Sequence, residues 1–208
     1  FLIVLLGQGH ACTAGQLFDG LDIAEVIVLA HKADNVPCRA AAEAVKALGV
    51  RVNHEGRRFF VMEAGLLHYL RRLGFSEEEL EHSGLVKRSA KGNLYDIFRH
   101  RVMVPIIDVR GAIIAFGGRV LDDSKPKYVN SPETMVYKKS KAMFALNIAK
   151  KSASRRYILC EGYMDVISMH QAGFTNAVAS LGTALTSGHA SLLKRYTQEV
   201  LLLYDSDE

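Results

Sequence analysis

The sequence lacks any apolar run long enough to cross a membrane. A spanning helix needs about 20 predominantly apolar residues, and no stretch of the 208 residues meets that requirement. The apolar opening at 1–6 is too short, and it has neither an initiator Met nor a basic n-region. We therefore predict that it is a β-strand of a truncated chain rather than a signal peptide, in a cytoplasmic protein with no membrane partner.

Cysteine is also scarce, and its spacing argues against two classes of small domain. The three cysteines, Cys12, Cys38 and Cys160, form an odd count without a CxxC pair. A disulfide framework needs paired cysteines, and a structural zinc site needs closely spaced ligands. We therefore expect a reducing compartment and no zinc in this chain.

An excess of one charge sign is nearly absent as well. The net charge is +4, from 26 basic and 22 acidic residues, and so small an excess does not by itself indicate nucleic acid. The distribution of charge is more informative. Basic residues outnumber acidic ones from Lys87 to Arg156, whereas Ser76 to Glu81 is acidic. We therefore expect a basic surface on the middle part of the chain.

We predict three parts along the chain, at residues 1–62, 63–154 and 155–208. The first alternates apolar runs at 1–6, 25–30 and 50–52 with an Ala-rich helical stretch at 38–48, a pattern typical of a small α/β segment. The identity of this segment stays open. Residues 25–34 resemble residues 199–207, and this similarity is explained equally by a degenerate duplication, a rearrangement or coincidence. The second part is expected to be a mixed α+β subdomain that carries the basic surface.

Two short helices open this second part. The latter helix is expected to begin at Ser76, with Glu79 completing a capping box. After the helices we predict, in order, a β ribbon with strands at 102–108 and 112–116, a basic turn-rich stretch at 122–134, and a helix near 138–150.

The third part has the clearest pattern, because apolar runs alternate with helical stretches. Its short connections predict the order β-α-β-α-β, which calls for a parallel sheet with flanking helices. The fold class is thus α/β and Rossmann-like in this part. The expected strands lie at 157–160, 177–181 and 200–204, and the expected helices at 164–172 and 188–196.

Acidic and glycine residues follow these strands. Glu161 and Gly162 follow the first strand, and Gly182 and Thr183 follow the second. The third strand is followed by Asp205 and, after one intervening residue, by Asp207.

Parallel strands end at one edge of a sheet, where ligands gather. Oxygen ligands of this kind suit Mg²⁺ or Mn²⁺ rather than zinc, and paired ions activate a hydroxyl and stabilise a leaving oxygen. We therefore predict phosphoryl or nucleotidyl transfer, or its reversal.

Each acidic residue also has a plainer interpretation. A single Asp at a strand end is more often a turn residue or a helix cap than a metal ligand. Asp165 lies in the first turn of its helix, where a negative charge is favoured by the helix dipole. Glu-Gly at one strand end with Asp-x-Asp two strands later is harder to attribute to chance.

The same residues carry a family resemblance. Residues 161–166 (EGYMDV), 177–183 (AVASLGT) and 204–208 (YDSDE) resemble the TOPRIM domain, in the version found in bacterial DnaG-type primases. Upstream, three motifs are similar to the primase polymerase core and occur in its order: residues 98–106 (FRHRVMVPI), 117–121 (GGRVL) and 126–134 (PKYVNSPET). The resemblance covers roughly residues 65–208.

This resemblance implies template-directed synthesis of short RNA primers on single-stranded DNA from nucleoside triphosphates. It implies that Glu161 is the general acid/base and a metal-associated carboxylate, that Asp205 and Asp207 bind two or more Mg²⁺ or Mn²⁺ ions, and that Asp165 lies close by. It further implies a basic ridge for template DNA and nucleotide phosphates, formed by Arg99, Arg101, Arg119, Lys127, Tyr128 and Lys139.

Primases of this family carry a second acidic pair after the Asp-x-Asp strand, a zinc-binding module and a helicase-interacting module. We expect all three to lie outside this chain, so that the replicative helicase is a partner through a module absent here. Two other functions stay open. One is a TOPRIM-type nuclease or topoisomerase module, and the other is a catalytically incomplete fragment that binds single-stranded DNA.

Overall fold

The computed structural model describes residues 40, 49–52, 58–62, 65–120 and 122–204, with side chains for Ala40 and from Gly65 onward. The predicted strands at 1–6 and 25–30 lie outside these residues, as does nearly all of the helix expected at 38–48. Within the described ranges, no helix is both long and apolar enough to cross a membrane.

The structure has the following helices and strands, given in chain order. They are β1 (Gly49–Val52), β2 (Arg58–Met62), α1 (Leu66–Arg72), α2 (Glu77–His82), β3 (Val86–Arg88), β4 (Leu94–Asp96), β5 (Arg101–Ile107), β6 (Ile113–Val120), β7 (Tyr128–Asn130), a 3-10 helix (Lys139–Lys141), α3 (Leu146–Ala149), β8 (Arg156–Cys160), α4 (Tyr163–Gln171), β9 (Ala177–Ala179), α5 (Ser187–Leu193) and β10 (Glu199–Leu203).

The chain forms two compact units. In its described part, the ribbon unit contains β1, β2, residues 65–106 and Ala112–Val136, and the parallel-sheet unit contains Ile107–Gly111 and residues 137–204. The sequence-based boundaries at 62 and 154 stay predictions.

The ribbon unit is built on a sheet with the strand order β1-β2-β5-β6-β7, and β3 pairs with β4 separately. The predicted ribbon is confirmed as β5 and β6. The turn after β5 closes where the Gly111 N–H donates to the Asp108 carbonyl at 3.0 Å. Gly111 has φ +96°, a left-handed conformation that suits glycine. The basic, turn-rich stretch predicted at 122–134 also contains β7, which pairs with β6 through Gly118 and Val129.

The helices of the ribbon unit begin at side-chain caps. The predicted capping box is confirmed, because the Ser76 N–H donates to Glu79 Oε2 at 2.8 Å and the Glu79 N–H donates to Ser76 Oγ at 3.3 Å. Helix α1 is capped from a distance. The buried Asp96 carboxylate, at the end of β4, accepts the N–H groups of Gly65, Leu66 and Leu67 at 2.8, 3.1 and 2.7 Å. These are N–H groups that a helix cannot satisfy internally.

The acidic segment of α2 is balanced by two arginines. Arg88 lies 3.2 Å from Glu77 and 2.9 Å from Glu81, and Arg71 also pairs with Glu77. Hydrogen bonds from Arg88, and then from Arg71, lower the pKa of Glu77, and the Arg88 hydrogen bond likewise lowers the pKa of Glu81. The acidic patch expected from the sequence is therefore an ion-pair network on the surface.

The parallel-sheet unit confirms the predicted β-α-β-α-β order. Its strands lie in the order β10-β8-β9, and both pairings are parallel. Cys160 at the end of β8 pairs with Ala179 of β9 and with Leu203 of β10. A buried cluster packs around the sheet and consists of Met143, Leu146, Ala149, Tyr157, Leu159, Val178 and Leu193.

The single helix predicted near 138–150 is wrong. The structure has a 3-10 helix and α3 there, and Phe144 between them is bridged to Ala179 of β9. The Phe144 N–H donates to the Ala179 carbonyl at 2.9 Å, and the Phe144 ring is fully buried. The next residue, Ala145, has φ +61°. This tertiary pairing interrupts the helix because Phe144 uses its backbone groups to extend the sheet instead.

Candidate functional site

The strand register brings three chain segments to one edge of the parallel sheet. Because Cys160 pairs with both Ala179 and Leu203, the residues that follow β8, β9 and β10 lie level with one another. We call this edge, formed by residues 161–162, 180–183 and 204, the carboxyl edge. Glu161 lies there with an exposed side chain. Asp205, which directly follows Tyr204, and Asp207 both lie outside the described residues.

Asp165 lies four residues after Glu161 in the chain and caps the start of α4. The Gly162 N–H donates to Asp165 Oδ2 at 3.0 Å, so Asp165 caps the first turn of the helix, the position where the sequence predicts that its charge is favoured by the helix dipole. Its negative charge also acts on Cys160. Burial first, and the Asp165 carboxylate second, raise the pKa of the Cys160 thiol to about 11. The thiol is therefore neutral at physiological pH and is a poor metal ligand and nucleophile.

The turn after β9 carries the predicted Gly182 and Thr183. Gly182 has φ +73°, a left-handed conformation that L side chains rarely adopt. The next residue places its hydroxyl oxygen, Thr183 Oγ1, in a buried position where no described group forms a hydrogen bond with it. A buried polar atom without a partner is uncommon in proteins and calls for an explanation.

The donor chemistry of the carboxyl edge fits a hard divalent cation. The exposed Glu161 carboxylate and the Thr183 hydroxyl both offer oxygen, which Mg²⁺ and Mn²⁺ prefer. Within the described ranges, however, no three His, Cys, Asp or Glu side chains converge as a metal site. The other two predicted ligands, Asp205 and Asp207, lie outside these ranges.

A lysine-rich segment belongs to the same unit. Lys138 and Lys141 are exposed, and the predicted Lys139 between them is half-buried. The Lys139 carbonyl lies 2.7 Å from Nε2 of the buried His189, which is in the first turn of α5. His189 did not emerge from the sequence. Its position three residues after Thr186 has the spacing of a capping box, with histidine replacing the usual Glu or Gln.

In the ribbon unit, Arg119 and Tyr128 form a cross-strand pair on β6 and β7. The guanidinium carbon lies 5.2 Å from the ring centroid, and Arg119 Nη1 donates to Tyr128 Oη at 2.6 Å. Tyr128 remains 42 % exposed, and the neighbouring Lys127 is exposed. Arg99 is also exposed, with its guanidinium 5.5 Å from the Tyr95 ring centroid.

Arg101 has a different position from the one expected of a ridge residue. It is only 6 % exposed. Its guanidinium donates to the carbonyls of Pro126 at 2.8 Å, Lys127 at 3.3 Å and Gly118 at 3.5 Å. These N–H groups therefore hold the segment that precedes Tyr128, and a direct contact of Arg101 with DNA stays a prediction.

Glycine at 118 makes room for this buried arginine. A Cβ atom at Gly118 would lie 2.8 Å from Phe98 Cδ1 and 3.0 Å from Arg101 Cδ. The first distance is shorter than Cβ contacts in proteins, and the second is tighter than most of them. The Gly-Gly-Arg sequence of β6 thus combines a steric requirement at its second position with a half-buried cation, Arg119, at its third.

The three parallel strands and the glutamate at their carboxyl edge define a Toprim-like domain. The corresponding family model, described as Toprim-like, matches residues 158–208, and the model of the "DNA primase catalytic core, N-terminal domain" matches residues 59–150.

The chain belongs to the DnaG-type DNA primase family. The DNA primase of Clostridium acetobutylicum is 52% identical over 143 residues, which are 68% of this chain and 24% of the relative. The RNA polymerase domain of Mycobacterium tuberculosis primase DnaG superposes with a TM-score of 0.64 at 30% identity, over 89% of this chain and 67% of that one. A DnaG primase catalytic domain bound to ssDNA gives a TM-score of 0.65 at 32% identity, over 89% and 63%. The chain spans about a quarter of the length of the curated relatives it matches.

Proposed function

We propose that this chain carries the catalytic core of a primase that synthesises short RNA primers on single-stranded DNA during replication. The observation that carries the proposal is the register of the parallel sheet, in which β8, β9 and β10 end at the same edge. Glu161 follows β8 at this edge, and Asp205 follows β10 two residues after Leu203 in the sequence. The family membership and the DNA-bound relative support the same reaction and the same template. The protein is proposed to act in the cytoplasm.

Glu161, Asp205 and Asp207 are the residues that would hold Mg²⁺ or Mn²⁺. Such ions, when bound, offset the charge of a nucleoside triphosphate and favour attack of a 3′-hydroxyl on the α-phosphorus. Glu161 is exposed at the carboxyl edge and can accept the hydroxyl proton as a general base. Asp165 supports this arrangement by fixing the Gly162 backbone directly after Glu161.

The template is proposed to bind three cations of the ribbon unit, of which Arg99 and Lys127 are exposed and Arg119 is half-buried. Arg119 uses one N–H group to bond Tyr128, and a guanidinium has five such donors and can make forked phosphate contacts. The Arg119 contact also fixes the plane of the exposed Tyr128 ring, on which an unpaired base could stack for about 1–3 kcal/mol. Arg99 and Lys127 add charge to this surface, so binding should weaken steeply with salt.

Further partners follow from the same proposal. Nucleoside triphosphates are the substrates, with Lys139 contributing a cation for their phosphates. The replicative helicase is proposed to act through a module other than the residues described above. Residues 63–154 and 155–208 are proposed as the two functional subdomains of the core, and the role of residues 1–62 is left open.

Primer synthesis by the full-length protein tests the proposal. A single-stranded DNA template, nucleoside triphosphates and Mg²⁺ or Mn²⁺ should yield short RNA products. Glu161→Gln should lower the rate at least about 100-fold, the usual effect of losing a general base. Glu199→Gln is the matched control, since Glu199 is an exposed glutamate at the opposite end of the same sheet, and it should leave the rate unchanged.

The two other functions predict different products. A nuclease or topoisomerase module would cleave phosphodiester bonds in the DNA without making RNA. A binding module would retain the DNA in a mobility-shift assay and yield no products of either kind. Either result with the full-length protein would contradict the primase proposal.

A further inference from the structure

We propose that His189 and Thr186 are positioning residues that hold the backbone of Lys139 and Ser140, and thereby set Lys139 to meet the phosphates of the incoming nucleotide. The inference rests on the proposed function, since it names residues that support nucleotide binding by that same site. Neither residue would touch the nucleotide. Both would act through the lysine segment, which we define as residues 138–141.

His189 uses both of its ring nitrogens. The Thr186 N–H donates to His189 Nδ1 at 3.2 Å, so Nδ1 must be unprotonated. The neutral ring therefore carries its proton on Nε2, which donates to the Lys139 carbonyl at 2.7 Å. Because the side chain is 0 % exposed, water cannot replace either bond. This histidine is fixed in one tautomer and one orientation.

Thr186 and Gly188 hold the next residue of the lysine segment. Thr186 Oγ1 donates to the Ser140 carbonyl at 2.8 Å and accepts the His189 N–H at 3.2 Å. A Cβ atom at Gly188 would lie 2.4 Å from the Ser140 carbonyl oxygen. Glycine is therefore required for α5 to approach this closely. Two consecutive carbonyls of the lysine segment are bonded by side chains from a single helical turn.

The lysine segment is thereby tied to the carboxyl edge. The chain leaves β9 at this edge and reaches Thr186 through residues 180–185, so we infer that α5 begins near the end of the sheet at which Glu161 lies. A second attachment lies downstream, where Phe144 is bridged to Ala179 at the end of β9.

The charge of the segment identifies the ligand class. Lys138, Lys139 and Lys141 bring three ammonium groups within four residues, and no acidic residue interrupts them. Lysine binds phosphate as a point charge on a flexible stem, so its position depends on how firmly the backbone is held. A displacement of about 1 Å in a positioning group can cost on the order of 100-fold in rate. A triphosphate with Mg²⁺ is the ligand that this arrangement fits.

A purely structural cap is the competing explanation, and the molecule offers a matched control for it. His170 is also 0 % exposed, and its Nε2 lies 2.9 Å from the carbonyl of Ala177. Ala177 opens β9, at the end of the sheet opposite Glu161. His170→Asn and His189→Asn therefore each remove one buried histidine–carbonyl bond from the same unit. Only His189→Asn removes a bond to the lysine segment.

The experiment measures two quantities in the full-length protein. One is the KM and kcat for nucleoside triphosphate in primer synthesis, and the other is the Kd for ATP with Mg²⁺ by calorimetry. Asparagine at 189 retains an acceptor for the Thr186 N–H and loses the donor to Lys139. We expect His189→Asn to raise both KM and Kd on the order of tenfold, the size of a lost contact to a charged group, with kcat within about twofold.

A comparison of variants separates positioning from stability. His170→Asn should lower the melting temperature as much as His189→Asn does, and leave both constants unchanged. In a Lys139→Ala background, His189→Asn should have no further effect, because residues that act through one another are not additive. If His189→Asn does not fold, Thr186→Val is a second variant, and we expect it to raise KM and Kd to the same extent.

The possible outcomes distinguish the two proposals. Equal Kd values for wild type and His189→Asn, or additive effects with Lys139→Ala, would contradict the positioning role even if primers are made. A wild-type protein that makes no primers would contradict the proposed function, whereas a rise in the ATP Kd that depends on Lys139 would still support the positioning role.

Discussion

Replacing Arg101 by methionine tests whether the buried guanidinium supports the DNA-binding surface or contacts DNA itself. Methionine retains the length and apolar character of the arginine stem but removes its donors. The strongest of these donates to the Pro126 carbonyl at 2.8 Å, and the contacts to Lys127 and Gly118 are longer, at 3.3 and 3.5 Å. The Lys127 carbonyl also accepts the Val120 N–H at 3.2 Å, so it retains a partner.

The expected loss of stability follows from the different lengths of these three hydrogen bonds. A hydrogen bond from a charged donor contributes about 1.5–3 kcal/mol net, and the Pro126 bond accounts for most of the loss. With smaller contributions from the other two, Arg101→Met should destabilise the protein by about 2–3 kcal/mol. For a protein of this size, that corresponds to a fall in Tm of roughly 4–12 °C.

The salt dependence of DNA binding supplies the decisive assay. Each phosphate contact to single-stranded DNA contributes about 0.7 to the slope of log K against log salt concentration. Arg101→Met should weaken binding by loosening the segment before Tyr128, with the slope unchanged. Arg119→Met should make the slope shallower by about 0.7, because this side chain is proposed to contact a phosphate directly. A shallower slope for Arg101→Met with an unchanged Tm would refute the structural role of Arg101.

Two further predictions concern stability and thiol reactivity. Asp96→Ala should destabilise the protein by about 2 kcal/mol or more in urea unfolding, because a remote cap that accepts three N–H groups of α1 is lost; a loss below about 0.5 kcal/mol would contradict the capping role. Cys160 should resist iodoacetamide at pH 8 in the folded protein and react in urea, as mass spectrometry of its peptide would report, since its pKa is raised to about 11 from an ordinary value of 9.0. The stability that this shift contributes is present below about pH 9 and is lost as the pH rises to about 11; rapid native labelling at pH 8 would contradict the assignment.

The parallel-sheet unit was largely predictable because its signals are local. Apolar runs of strand length alternate with helical stretches, and short connections leave little choice but a parallel order. The position of Glu161 after β8 follows from that order alone. The break at Phe144 does not, because it arises from pairing with Ala179, which lies 35 residues further along the chain.

The roles of the basic residues were less predictable, because a family motif does not indicate which side chains point inward. Arg101 and Arg119 both occur within motifs of the expected ridge, yet Arg101 is buried and Arg119 is half-buried beside the exposed Tyr128. Strand β5 is largely buried, so the alternation that usually distinguishes inner from outer positions is missing there. Burial of Arg101 depends on carbonyls about 17 to 26 residues away, and no sequence period reports those contacts.

The most direct test of the central claim is to locate Mn²⁺ in crystals of the full-length protein by anomalous scattering. We predict a peak at the carboxyl edge, within coordination distance of Glu161, Asp205 and Asp207, that disappears in the Asp205→Asn, Asp207→Asn double variant. A peak that persists in this variant, or crystals of the wild type soaked in Mn²⁺ with no density at this edge, would contradict the assignment of these carboxylates as the metal site.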